Sequence, residues 1–224
     1  MMTIVVSGAS KGIGFQICLK AAAEGHRVIA LSRNIRSLYN IDNIHPFAVD
    51  LLNHKEIIGF VETVKSEFGG VDILINNAGS LINKPFAETT DEEFEAVYKV
   101  NVFAVVSLTR QFLPIINFKG HVVNISSMGG IQGSSKFSGL SAYSSSKGAL
   151  ITLTEMLAEE YAKTGPSFNS LALGAVQTEM LEEAFPGYVA PLTAGQVGSY
   201  ILDFALNGSQ FYNGKVLPVS SSTP

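Results

Sequence analysis

Cysteine occurs once in the 224 residues, at Cys18. No internal disulfide can form, and a reducing compartment is expected. Charge is scarce at 15% of residues. Lys and Arg number 15 against 19 Asp and Glu, a formal net charge of −4. That balance leaves no footprint for nucleic acid or an anionic membrane. Long apolar runs are missing too. The longest apolar stretch, 97–116, is interrupted by Lys99, Asn101 and Arg110, and reads as a buried helix rather than a membrane span. No basic segment precedes the short apolar run at 2–6, so no secretory signal is read and a cytoplasmic protein is expected. The four histidines do not cluster with carboxylates or Cys18 at ligand spacing, so no metal is expected.

What the chain does have is hydrophobic mass, 46% of residues, enough for the core of one sizeable α/β domain. Strands are expected at 2–7, 27–32, 45–49, 71–75, 120–126, 166–172 and 214–219. Their consecutive apolar residues suit strands buried on both faces. Helices are expected at 12–24, 53–68, 91–117, 142–163 and 193–206. The alternation predicts a three-layer, doubly wound parallel sheet of about seven strands in a single domain. Asp91 is the expected N-cap of the third helix, and Gly69-Gly70 the end of the second. The Gly/Ser-rich stretch 129–141 reads as a loop.

The segment SGASKGIG, residues 7–14, joins the first strand to the first helix and holds Gly8, Gly12 and Gly14. Glycines let backbone approach a pyrophosphate, and free N–H groups with the helix dipole attract it. The alternative is a tight turn with no ligand. An acidic residue closing the second strand would bind a ribose 2′-hydroxyl. Here ALSRN offers Arg33 and no carboxylate. Arg33 suits a 2′-phosphate, and Lys11 adds a second cation, so NADP(H) is expected over NAD(H). Tyr143 and Lys147 lie four apart in SAYSSSKGAL, on one face of a helix. A neighbouring ammonium, plus the positive nicotinamide of an oxidised cofactor, would lower the tyrosine pKa toward the range useful for acid–base catalysis. A plain helix face is the alternative.

Taken together, these segments resemble the short-chain dehydrogenase/reductase family, of the classical type. The nucleotide loop resembles SGASKGIG, which implies cofactor contacts from Gly8, Ser10, Lys11, Gly12, Ile13 and Gly14. NNAG at 76–79 matches the motif after the fourth strand and implies roles for Asn77, Ala78 and Gly79. Asp50 in AVDLL matches an adenine contact. Gly174, Val176 and Thr178 in LGAVQTEM match the passage beside the nicotinamide. The resemblance implies a Rossmann fold with a cofactor half at about 1–120 and a catalytic and substrate half at about 121–224. It implies Tyr143 as general acid/base, Ser127 polarising the carbonyl oxygen, and Lys147 holding the ribose hydroxyls. Asn101 would interrupt its helix and help hold a proton-relaying water. Ser126 competes with Ser127 for its role, and a polar helix kink is the other reading of Asn101. The implied partner is a small carbonyl or alcohol substrate, in a homodimer or homotetramer paired through helices 91–117 and 142–163.

The chain departs from the family pattern in four places. Ser127 and Tyr143 are 16 apart, which predicts an outward loop shaping the substrate mouth. Leu173-Gly174 stands where Pro-Gly is usual. The short segment between Thr178 and Thr193 carries Met180, Leu181, Phe185, Tyr188 and Val189, an expected apolar lid. The ending GKVLPVSSSTP lacks the usual Asp-Gly. Ser144-Ser145-Ser146-Lys147 fits a Ser-x-x-Lys acyl enzyme, but Ser-Asp-Asn is absent. A non-catalytic NADP(H)-binding regulator is the other rival, disfavoured by an intact Ser127, Tyr143 and Lys147.

Overall fold

The computed structural model describes residues 1–220. Its strands are set by apolar residues that alternate between two faces. In β1 (Thr3–Ser7), Ile4 and Val6 enter one core and Val5 the other. After α1 (Gly12–Ala23), β2 (Arg27–Ser32) divides its residues in the same way, Val28 and Ala30 against Ile29 and Leu31. Next come β3 (Ile44–Ala48), α2 (His54–Phe68) and β4 (Val71–Asn76). The second half carries α3 (Asp91–Tyr98), α4 (Ala104–Phe112), β5 (Ile116–Ser127), α5 (Ser141–Glu160) and β6 (Ser167–Leu173). Then follow β7 (Val176–Gln177), α6 (Glu179–Ala184), β8 (Leu192–Thr193), α7 (Ala194–Asn207) and β9 (Lys215–Val219).

Seven strands form one parallel sheet in the order β3-β2-β1-β4-β5-β6-β9. Side chains of α1 and α7 cover one face, and those of α2, α4 and α5 the other. Two covered faces are what an all-parallel sheet requires. The order reverses between β1 and β4, which opens a crevice at their carboxyl ends.

Several elements differ from the sequence reading. The helix expected over 91–117 is broken into α3, a π-helical turn at Lys99–Phe103, α4 and a 3-10 turn at Leu113–Ile115. Asp91 is not the N-cap. Thr90 is, because its hydroxyl can accept from the Glu93 N–H while the Glu93 carboxylate takes the Thr90 N–H. Gly69 does end α2, at φ 80°. The strand expected at 120–126 begins earlier, at Ile116, with a register break before His121. The helix expected to reach 163 ends at Glu160. The paired β7 and β8 were not foreseen. Residues 221–224, the last of the GKVLPVSSSTP ending, lie outside the described residues. Among the described residues, no helix is long and apolar enough to cross a membrane.

One buried polar cluster ties the sheet to α7. His121, 1% exposed, places Nδ1 3.0 Å from the Ala205 carbonyl and Nε2 3.0 Å from Asn169 Nδ2. Asn169 also donates to the Tyr212 carbonyl and accepts from the Lys215 N–H. Burial holds the His121 imidazole well below its usual value, at about 4.

Candidate active site

The glycine turn is shaped first by its own chain. Gly8 has φ 68°, and a Cβ there would stand 2.8 Å from the Ala78 Cα. A Cβ at Gly14 would collide with the Gly8 carbonyl oxygen and lie 2.5 Å from Asn77 Nδ2. These two glycines therefore let NNAG seat against the turn, rather than only clearing room for a ligand. Asn77 donates to the Ser7 and Gly8 carbonyls, and Ser7 Oγ accepts from the Asn77 and Ala78 N–H groups. Gly12, φ 55°, faces the segment after β7 instead: a Cβ there would stand 3.4 Å from Glu179 Oε2 and 3.6 Å from Thr178 Cγ2. It begins α1, whose N-terminus carries no side-chain cap, so its first N–H groups remain available to an anion. Ile13 packs against the core, which leaves its backbone for any ligand.

A cleft of about 610 Å³ runs beside this turn, lined by Ser10, Lys11, Gly12, Thr178, Glu179 and Glu183 among others. Thr178 sits close to Gly12 and its hydroxyl caps α6 by accepting from the Leu181 N–H. Val176 is buried in β7. Gly174 packs against Ser220, where a Cβ would collide with the serine side chain. A second hollow of about 310 Å³ is lined by Arg33 and Asp50, with Glu56. The Asp50 carboxylate accepts from the Leu52 N–H. Ser32 donates to Ser10 Oγ and Ser37 to the Ser10 carbonyl, a hydroxyl cluster the sequence reading missed. Lys11 and Arg33 thus line different hollows, and Lys11 pairs with Glu183 at 3.6 Å.

The chemical residues converge at the end of β5. Adjacent strand residues point oppositely, which separates the two serines. Ser126 donates to the Lys147 carbonyl in the interior, whereas Ser127, whose Oγ accepts from the Gly129 N–H, faces the Tyr143 hydroxyl closely enough to favour its charged form. The turn after β5, Met128–Gly130, presses on α5, where a Cβ at Gly130 would stand 2.7 Å from the Lys147 carbonyl carbon. Lys147, 4% exposed, donates from Nζ to the Ile125 carbonyl at 2.8 Å and lies 5.8 Å from the Tyr143 ring centroid. Gly79 packs beside Lys147 Nζ and Asn101 Oδ1.

Asn101 is fully buried within the π-helical turn. Its side chain accepts from the Ser80 N–H and donates to the Ser80 carbonyl and to Ser146 Oγ. Ser146, also missed by sequence reading, donates on to the Tyr143 carbonyl at 2.7 Å. Nothing in the sequence distinguished it from its serine neighbours. Only its burial under Asn101 does.

The expected acidity of Tyr143 draws on two charges, Lys147 and an oxidised nicotinamide. In the protein alone, burial pushes the phenol up, and the Ser127 hydroxyl only partly offsets this. Burial also brings Lys147 down to about 8. Desolvation disfavours both charged forms. An acidic Tyr143 therefore needs additional positive charge in the cleft.

The longer 127–143 loop folds on itself. Lys136 donates to the Ile131 and Ser134 carbonyls, and the Gly139 carbonyl accepts from the Lys84 N–H. The expected apolar lid is only partly apolar inward. Met180, Leu181 and Phe185 are half-buried, whereas Tyr188 and Val189 are exposed. Asn83 donates to the Ala184 carbonyl and tethers α6. Among the described residues, no group of three or more His, Cys, Asp or Glu is placed to hold a metal ion.

Comparison with known proteins adds relatives to this geometry. The model of the short chain dehydrogenase family matches residues 2–188. YvrD of Bacillus subtilis strain 168, an uncharacterized oxidoreductase, is 33% identical over 211 residues, 90% of this chain and 78% of its own. A 4-hydroxyisoleucine dehydrogenase complexed with NADH superposes with a TM-score of 0.88 at 27% identity, over 99% of this chain and 98% of its own. An actinorhodin polyketide ketoreductase variant with NADPH gives 0.87 at 26%, over 98% and 95%.

Proposed function

The chain belongs to the short-chain dehydrogenase family, an oxidoreductase family, and from that premise we propose that it is an NADP(H)-dependent enzyme interconverting carbonyls and alcohols. The observation that carries this reading is the meeting of Ser127, Tyr143 and Lys147 beside Gly79 and Asn101. A bound nicotinamide supplies or takes up the hydride. The open first turn of α1 and the cleft of about 610 Å³ suit its pyrophosphate, at Gly12 and its neighbours. Asp50 and Arg33 line a hollow suited to the adenosine end.

Tyr143 donates its phenolic proton to the substrate carbonyl oxygen in reduction and recovers it in oxidation. Ser127 hydrogen-bonds the same oxygen and shares the developing charge. Lys147, charged at neutral pH, holds the ribose hydroxyls. Its charge and that of an oxidised nicotinamide offset the desolvation that raises the Tyr143 pKa. Asn101 fixes the wall around Lys147 through Ser80 and Ser146 and helps hold a relaying water. Arg33 is exposed and forms no ion pair among the described residues, so its guanidinium is available to a 2′-phosphate. Substrates enter past Met180, Leu181 and Phe185 as small, largely apolar carbonyl compounds. The protein works in the cytoplasm as a homodimer or homotetramer paired through the faces of α4 and α5.

The test is NADPH consumption against a panel of ketones and aldehydes. Carbonyl-dependent oxidation of NADPH supports the reading. Tight NADPH binding with no turnover on any carbonyl favours a regulator instead.

A further inference from the structure

Three carboxylates stand on α6, at the end of the cleft where an anion is expected. Glu179, Glu182 and Glu183 all line it, together with Ser10, Lys11, Gly12 and Thr178. Their surroundings differ. Glu182 accepts from the Gly187 N–H and so closes its own turn. Glu183 pairs with Lys11 at 3.6 Å, both side chains largely exposed. Glu179 places Oε2 3.4 Å from where a Cβ at residue 12 would stand. That is the one glycine of the turn whose Cβ position looks toward α6, at the uncapped start of α1.

Two features meant for an anion are therefore approached by the protein's own anions. Lys11 is the cation within the glycine turn, and Glu183 takes up its charge. The positive end of α1 is open, and Glu179 stands over it. A pyrophosphate entering here meets like charge, and a 2′-phosphate finds Lys11 engaged. Arg33 lines the second hollow, which meets this cleft where Ser32 donates to Ser10 Oγ, so a 2′-phosphate between the two can take both cations.

We propose that Glu179 and Glu183 set cofactor affinity and selectivity. They screen the phosphate end of the cleft: Glu179 weakens every dinucleotide, and Glu183 weakens those bearing a 2′-phosphate by holding Lys11. The inference rests on the dinucleotide reading and concerns residues on which that reading does not depend. Exposed pairs are weak, so each carboxylate should alter affinity by about two- to fivefold.

The experiment is titration with NADPH and NADH, followed by nicotinamide fluorescence, for the wild type, Glu179→Gln, Glu183→Gln, Lys11→Met and the Lys11→Met/Glu183→Gln pair. Glu179→Gln is expected to tighten both cofactors about two- to fivefold. Glu183→Gln is expected to tighten NADPH by a similar factor and NADH less, and this gain should vanish in the Lys11→Met background. Both gains should shrink between about 0.02 and 0.5 M salt, as exposed charges are screened. If the wild type binds and both glutamine variants bind no more tightly, the inference fails while the dinucleotide reading stands. Survival of the Glu183→Gln gain without Lys11 also overturns it. A wild type that binds neither cofactor overturns the dinucleotide reading, and this inference with it.

Discussion

The corner between β5 and α5 and the rim formed by Lys11, Arg33 and α6 hold their polar groups in opposite ways. At the corner, Asn101, Ser126, Ser146 and Lys147 are buried, and each is tied to a named partner. At the rim, Lys11, Arg33, Glu179 and Glu183 are exposed, and the one ion pair among them is 3.6 Å long. Buried polar groups lose heavily when a partner is removed, whereas exposed charges exchange partners at little cost. The corner is thus built for fixed chemistry and the rim for adjustable selectivity. Changes at the corner should lower rate and stability together. Changes at the rim should alter cofactor choice and leave the fold intact.

The largest expected effect isolates chemistry from folding. Tyr143→Phe should lower kcat by about 10²–10⁴-fold, the usual range for a general acid. NADPH affinity should stay within about twofold in a fluorescence titration. Normal carbonyl reduction by that variant would remove Tyr143 as the acid and erase the contrast at its centre.

Next comes a buried site outside both regions. His121 has its folded value depressed to about 4 from 6.5, so the unfolded chain takes up a proton first. Stability is then complete above pH 6.5 and declines as pH falls toward 4. The difference of 6.5 against about 4 allows a loss of up to about 3 kcal/mol. Urea melts at pH 7.5, 5.5 and 4.5 should show it, and His121→Gln should flatten that slope. An equal slope in the variant would assign the pH dependence to other groups.

Ser146→Ala tests whether the corner is one unit. It leaves an Asn101 amide hydrogen without its acceptor and should cost about 1–3 kcal/mol in urea unfolding. It should also lower kcat more than it raises KM, with partial rescue by Ser146→Thr. Full stability loss with unchanged kcat would make Ser146 structural only. The smallest effect belongs to the rim. Arg33→Asp should weaken NADPH by about tenfold relative to NADH, about 1.4 kcal/mol, with no change in Tm. Unaltered NADPH affinity would remove Arg33 from the phosphate site.

The same contrast explains what could be read from sequence. Strands declared themselves through consecutive Val and Ile, as in Ile4-Val5-Val6, because both faces of the sheet are covered. SGASKGIG and the Tyr143/Lys147 spacing were also legible, being local. Tertiary effects were not. The resemblance implied the helix break at Asn101, and the turn Lys99–Phe103 holds it, but its partners Ser80 and Ser146 lie too far along the chain to be read. Thr90 and Glu93 carried a capping-box spacing that Asp91 obscured. Strand periodicity says that Ser126 and Ser127 point apart, but only the position of α5 decides which meets Tyr143. Spacing reveals the ammonium beside Tyr143 and conceals the desolvation that raises the phenol in the protein alone. The carboxylates of α6 went unread among the apolar residues of their segment, and only the fold brings Glu179 beside Gly12.

The turn at residues 7–14 is also a matter of timing. Its bonds to Asn77 and Ala78 span about 70 residues, and β1 lies beside β4 in the sheet. During synthesis the first strand and helix emerge well before the segment that braces them. The dinucleotide cradle is thus a late product of translation, and a chain halted before residue 78 lacks the groups that hold it in shape.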